Sequence, residues 1–134
     1  MVEAVIVTHG LLGKELLRAA EGIAGPQEGM AVISNEELSS DKLEAKLLET
    51  LNRRRSRSGL ILFTDLFGGS CWRACMKVAS DIGWGSFGGI AVLSGVNLSM
   101  LLSFFQKRRA LSYPELVRTL ESDGKRSIIL NRGG

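Results

Sequence analysis

The chain has a single histidine, His9, and it stands where an apolar, β-branched run, Val2 to Thr8, meets Gly10. Any imidazole chemistry therefore belongs to His9. A neutral imidazole, with an ordinary pKa of about 6.5, keeps a lone pair near pH 7 and is a competent nucleophile towards phosphorus as well as a base. Attack needs the other ring nitrogen to give its proton to a fixed acceptor, which sets the tautomer and stabilises the imidazolium that forms. Asp65 closes a second apolar run, Gly59 to Thr64, and is the natural acceptor; otherwise it would merely cap the turn that follows. Gly68-Gly69-Ser70 comes next. Two residues without Cβ let backbone amides approach an anion, and a helix start adds favourable partial charge. Ser70 could donate its hydroxyl or cap the helix. Nucleophile, orienting acid and anion seat together describe a phosphohistidine site.

Placing these residues together requires an α/β fold. Apolar runs at 2–8, 30–33, 59–65 and 90–93 read as strands, and the third is apolar throughout, as a strand buried on both faces should be. Between them lie helical spacings. Leu12, Leu16, Ala19 or Ala20, and Ile23 form a stripe through 11–24 that Gly25-Pro26 ends. Leu43, Leu47 and Leu51 form another behind a Ser39 or Ser40 cap, and Ala74, Cys75, Val78 and Ile82 a third. Helices are expected at 98–109 and 113–123, with Ser127 to Leu130 as a short last strand. The expected architecture is a single-domain three-layer sandwich over residues 1–130, with a flexible tail at 131–134. Its parallel sheet is read in the order 2-1-3-4, and helices cover both faces. That order makes strands one and three neighbours at the switch point, about 4.8 Å apart, so His9 and Asp65 come within hydrogen-bond range.

Composition narrows the function classes. At 134 residues with 45% hydrophobic and 23% charged residues, the chain is ordinary for one soluble domain and not disordered. It lacks both an apolar run of the roughly 18 residues that span a bilayer and the layout of a signal peptide. A cytoplasmic protein is expected, without direct membrane insertion. A net charge of +3 does not imply nucleic acid, and the basic groups at 53–57 and 107–109 read as solvated helix ends without interleaved aromatics. Cys71 and Cys75 read as reduced, packed thiols; without a third cysteine or second histidine a structural zinc site is not expected, and no metal or cofactor is called for.

Thr8-His9-Gly10, Asp65-Leu66-Phe67-Gly68-Gly69-Ser70 and Ser94-Gly95-Val96-Asn97-Leu98-Ser99-Met100-Leu101 occur in order after strands one, three and four. In this the chain resembles the mannose/fructose-type IIA component of the bacterial sugar phosphotransferase system. The resemblance implies a phosphotransferase that receives a phosphoryl group from the phosphocarrier HPr on His9 and passes it to a IIB partner for sugar uptake. Asp65 would assist the histidine, and the amides around Ser70 would hold the phosphate. It also implies a mostly parallel sheet with a short antiparallel edge strand at its end, and a homodimer formed by exchange of that strand, here residues 127–130. Three departures stand out. Cys71-Trp72-Arg73 replaces the family's usual Pro-Phe-Asn, Ser99 replaces a second proline, and no IIB domain follows, so a free-standing IIA protein is expected.

Thr8, Gly10, Phe67, Trp72, Arg73 and Asn97 are the further candidates for pocket or partner contacts. Trp72 suits an interface centre, Arg73 could tighten anion binding, and Asn97 could line the pocket or cap a helix. Trp84 and Phe87 could form a partner patch or pack over the sheet edge. A phospho-accepting receiver domain would need an acidic pair where Thr8-His9 stands. A flavodoxin-like binder would need a Ser/Thr/Gly phosphate loop after strand one, and a cysteine phosphatase an arginine farther from Cys71 than Arg73. The branch that serves dihydroxyacetone kinase has different loops. Closer is a regulatory IIA-like protein whose phosphorylation state is itself the signal.

Overall fold

The computed structural model describes residues 1–133 as alternating strands and helices: β1 Glu3–Thr8, α1 Leu12–Ala24, β2 Met30–Ser34, α2 Ser40–Asn52, β3 Leu60–Thr64, α3 Ser70–Ile82, β4 Ile90–Leu93, α4 Leu98–Lys107 and α5 Tyr113–Arg126. Gly134, the end of the expected tail, lies outside the described residues. The four strands form one parallel sheet in the order β2-β1-β3-β4. β1 and β3 are the central pair, in register from Glu3↔Leu60 to Val7↔Thr64, so their C-terminal ends finish side by side.

The period-2 alternation of side chains divides the core. Val5, Val7, Leu60 and Leu62 face α2 and α3, meeting Leu43, Leu47, Leu51, Cys75 and Val78. Ala4, Ile6, Ile61 and Phe63 face α1, α4 and α5, where Phe63 meets Phe104 edge-on at 5.5 Å. Burial on both faces is what keeps β1 and β3 continuously apolar.

Four expectations are corrected. α1 turns Gly13, Leu16, Leu17 and Ala20 to the sheet, while Leu12 and Ile23 stay exposed. The helix approaches β1 so closely that a Cβ at Gly13 would lie 2.7 Å from Thr8 Oγ1 and 3.0 Å from Ile6 Cγ2, and the Gly13 N–H donates to Thr8 Oγ1 at 2.6 Å. Opposite outcomes are expected at two glycines of this helix. Gly13→Ala should lower stability by about 1–2 kcal/mol through overpacking. Gly22→Ala, with open space around it, should raise stability by roughly 0.5–1 kcal/mol through helix propensity. Denaturant unfolding of the two variants checks the signs.

The antiparallel edge strand is absent: the sheet has four strands, all parallel. α5 runs to Arg126, past the expected stop at 123, because Gly124 is a packing glycine against Met100 of α4 rather than a terminator. Ser127 then caps the helix, its Oγ donating to the Gly124 carbonyl at 2.6 Å. Ile128, Ile129 and Leu130 are left exposed, outside any strand. Finally, the basic group after α4 is not a solvated helix end throughout. Arg108 is buried at 2% exposure and donates to the Val2 carbonyl at 2.7 and 3.1 Å and to the Glu28 carbonyl at 2.8 Å. Arg109 is exposed, as are Arg53, Arg55 and Arg57. Phe87 packs against the α2/α3 core, whereas Trp84 is exposed.

Candidate active site

His9 follows the last residue of β1 and Asp65 the last residue of β3. Because those strands are paired, the two side chains project from adjacent strand ends on one rim of the sheet. The His9 backbone N–H donates to Asp65 Oδ2 at 3.0 Å, and Nδ1 of its ring lies 3.0 Å from Oδ2 and 3.2 Å from Oδ1. A carboxylate accepts only, so Nδ1 is the protonated nitrogen of the neutral ring and Nε2 keeps the lone pair. Burial pushes the Asp65 carboxyl up, but the His9 backbone N–H, the His9 ring hydrogen bond and the ring's charge together outweigh it. The group is held below its usual 3.8. Asp65 is therefore an anion at neutral pH. The His9 side chain is 43% accessible and that of Asp65 12%, so the acid lies beneath and the imidazole faces out.

The Gly68-Gly69-Ser70 turn sits against this pair. Gly69 is the N-cap of α3, and a Cβ there would lie 3.3 Å from His9 Cε1 and 3.1 Å from the Leu66 carbonyl. Gly68 has φ +80°, in the left-handed region that glycine enters without strain. The first helical bond of α3 runs from the Arg73 N–H to the Gly69 carbonyl, so the amides of Ser70, Cys71 and Trp72 come before any intrahelical partner. The ring edge carrying Cε1, between the two nitrogens, thus lies over a helix N-terminus with free donors and a partial positive charge.

The other candidates separate. Ser70 is the first helical residue rather than the cap, and its Oγ accepts from Asn35 Nδ2 at 3.4 Å. Thr8 is fully buried and spends its hydroxyl on Gly13, so it ties α1 to β1 below the surface. The Gly10 N–H donates to Asn35 Oδ1 at 3.2 Å. Phe67 is exposed and meets Trp72 edge-on, ring centroids 4.8 Å apart. Arg73 is exposed on the first turn of α3. Asn97 caps α4, accepting the Met100 N–H at 2.9 Å, and lines a groove with Val92, Leu93 and Ile128 instead of meeting His9.

Two neighbours escaped the sequence reading. Asn35, directly after β2, bridges the β1–α1 turn to the start of α3, and its position at a third strand end on the same rim was the available signal. Cys71 Sγ lies 4.0 Å from His9 Nδ1. Burial first, then the charge of Asp65, pushes its thiol up to about 11 against a weaker opposing hydrogen bond with Ser70, so Cys71 is a neutral thiol near pH 7. Concavities of about 430, 310 and 210 Å³ lie elsewhere, and His9 stands on open surface. A nucleophile placed so suits exchange with another macromolecule better than capture of a small molecule.

Comparisons with known proteins bear on the family of the chain. Residues 3–121 match the family described as PTS system fructose IIA component. The mannose-specific EIIAB component of Escherichia coli K12 is 28% identical over 133 residues, covering 95% of this chain and 38% of that protein. The chain thus spans well under half the length of the curated relatives it matches. The crystal structure of phosphotransferase system component EIIA from Streptococcus agalactiae is 26% identical, with 97% of each chain covered and a TM-score of 0.86. The mannose/sorbose specific IIA subunit from Enterococcus faecalis shares the fold, at 19% identity, 98% and 96% coverage and a TM-score of 0.79. With the match running from the first strand into α5, the chain belongs to the mannose/fructose-type IIA family of the sugar phosphotransferase system.

Proposed function

We propose that His9 is a transient phosphoryl carrier: it accepts the group on Nε2 from phospho-HPr and passes it to a IIB protein in phosphoenolpyruvate-dependent sugar uptake. The observation that carries this reading is the bond between Nδ1 and Asp65, which leaves Nε2 unprotonated on an exposed ring above the α3 N-terminus. In the forward step the Nε2 lone pair attacks phosphorus as the bond to the donor breaks, and the positive charge developing on the ring is held by Asp65. The free amides of Ser70, Cys71 and Trp72 seat the phosphoryl oxygens. Transfer onward reverses the same bond changes. Exposed Leu11, Leu66 and Phe67, with Trp72, supply apolar contact for a docking protein, and Arg73 a charge at its edge. Among the described residues no helix is long and apolar enough to cross a membrane, consistent with a carrier acting in the cytoplasm.

Incubation with phosphoenolpyruvate, enzyme I and HPr should place an acid-labile, base-stable label on the chain. His9→Ala should abolish it, a loss of at least about a thousandfold. Equal labelling of His9→Ala would end this reading, and a base-labile label on Asp65 would replace it with an acyl phosphate.

We also propose that the protein is a homodimer held by residues 127–130 of each copy. The outer edge of β4 has no strand partner among the described residues, Ile128, Ile129 and Leu130 are more than three-quarters exposed, and Ile128 lines a groove with Val92 and Leu93 of β4. An exposed edge and an exposed apolar segment are complementary needs. Light scattering should report a dimer that deletion of 127–134 converts to a monomer. A dimer that survives the deletion has another basis.

A further inference from the structure

We propose that His9, Asp65 and Cys71 form a binding site for a zinc-like divalent ion, and that its occupancy switches His9 off as a nucleophile. The binding half stands on geometry alone, and the switching half rests on the reading of His9 as phosphoryl acceptor.

The three residues bring three kinds of ligand atom from three separately anchored segments: the ends of β1 and β3 and the first turn of α3. Their imidazole nitrogen, carboxylate oxygen and thiol sulfur all lie within 4.8 Å of one another. Nδ1 is central, 3.2 Å from Asp65 Oδ1 and 4.0 Å from Cys71 Sγ. Bonds of about 2.0 Å to nitrogen or oxygen and 2.3 Å to sulfur, at tetrahedral angles, put neighbouring donors roughly 3.3–3.6 Å apart. The existing separations, none beyond 4.8 Å, straddle that value, and movements of about 1 Å would meet it. Three protein ligands leave the fourth position to water. A nitrogen, an oxygen and a thiolate select zinc, cobalt or copper over magnesium or calcium, which want oxygen alone. Carboxylate and thiolate together balance a 2+ charge. The backbone N–H of His9 already holds Asp65 Oδ2, which leaves Oδ1 for the metal.

Cys71 makes the site particular to this chain. It stands where proline is usual in the sequences it resembles, and proline offers no ligand atom. Cys71 has no exposed surface, so an ion held there is covered by the imidazole.

The proton balance supplies the switch. On binding, the Cys71 thiol releases its proton to solvent. Nδ1 gives up its proton to become a ligand, and the neutral ring takes one from solvent at Nε2. One proton leaves per ion bound. Nε2 then carries hydrogen instead of a lone pair, and cannot attack phosphorus.

The test titrates the reduced, metal-free chain with Co²⁺, recording the thiolate-to-cobalt charge-transfer absorption, then displaces it with Zn²⁺. One ion per chain is expected, with a charge-transfer band that disappears in Cys71→Ser and Cys71→Ala and persists in Cys75→Ala. Affinity should fall at least about tenfold in either Cys71 variant. Saturating Zn²⁺ should suppress phosphorylation of the wild type reversibly with chelator. Compared with its own chelated rate, Cys71→Ser should need at least about tenfold more Zn²⁺ for the same suppression, which controls for zinc acting on the donor proteins. Failure to bind one ion, or a band indifferent to Cys71, overturns the site, and a site that fills without slowing phosphorylation overturns the switch. Cobalt binding as described in a chain that never accepts phosphate would uphold the metal site and reject the carrier function.

Discussion

Asp65→Asn is expected to slow phosphorylation of His9 by about a hundred- to ten-thousand-fold while leaving the fold in place. The effect should exceed that of losing one hydrogen bond, because the substitution changes which nitrogen carries the proton. Asp65 accepts from both the backbone N–H and Nδ1 of His9. An asparagine can still accept the backbone N–H with its oxygen, but it then turns an N–H₂ donor towards Nδ1. That favours the tautomer protonated on Nε2, in which the exposed nitrogen has no lone pair. It also removes the negative charge that stabilises the imidazolium. Quench-flow labelling with phospho-HPr checks the rate, and an unchanged rate removes Asp65 from the mechanism. The pH dependence of stability follows with a definite sign. The folded Asp65 is held below its usual 3.8, so its contribution is fully present above that value and fades as pH falls through the lower folded value. The stability difference between wild type and Asp65→Asn should therefore be flat on the acid side of neutrality down to about pH 4–5, then shrink below it.

Arg108→Met should be the most damaging single change to stability outside the apolar core, by about 2–4 kcal/mol, or roughly a 10 °C fall in Tm. Its guanidinium lies 4.5 Å from the Phe104 ring centroid and joins the end of α4 to the Val2 and Glu28 carbonyls. Methionine fills similar volume but strands those carbonyls. Burial, then the charge of Arg109, pushes Arg108 down to about 10, with Glu3 and Glu28 opposing, so it remains a cation near neutral pH. Arg109→Ala, on the exposed neighbour, should stay within about 0.5 kcal/mol. Thermal unfolding compares the two, and equal melting would show that the buried guanidinium is dispensable. Because Arg108 lies at the opposite end of the sheet from His9, the Met variant should still accept phosphate while folded.

Continuous apolar runs and helical spacings announced all four strands and five helices, since burial leaves a mark on composition at every core position. They did not announce the exact face of α1. Leu12 and Ile23 are apolar enough to mimic a stripe, whereas the true contact is made by Gly13 and Ala20, whose smallness lets the helix approach. The end of α5 was set short because the contact of Gly124 with Met100 lies across elements and leaves no mark in one dimension. The last strand failed for a different reason: pairing is a property of two segments, and nothing in Ser127 to Leu130 says whether an edge within the same copy will receive it. At the site, adjacency of His9 and Asp65 was legible because both residues close apolar runs and the order 2-1-3-4 makes those strands neighbours. Asn35 and the nearness of Cys71 were not, since both depend on side-chain reach across elements. Arg108 looked like its exposed neighbours because charge clusters carry no record of which member turns inward.

The pairing of Trp72 with Phe67 beside His9 has a practical consequence. The chain has two tryptophans, and the other, Trp84, follows the far end of α3, about 20 Å along the helix. In a Trp84→Phe background, the remaining indole is an optical reporter built into the site. A docking protein that removes it from water should shift its emission to shorter wavelength. A copper ion seated under His9 should quench it instead. One signal, read without labels, then follows both partner exchange and ion occupancy in real time.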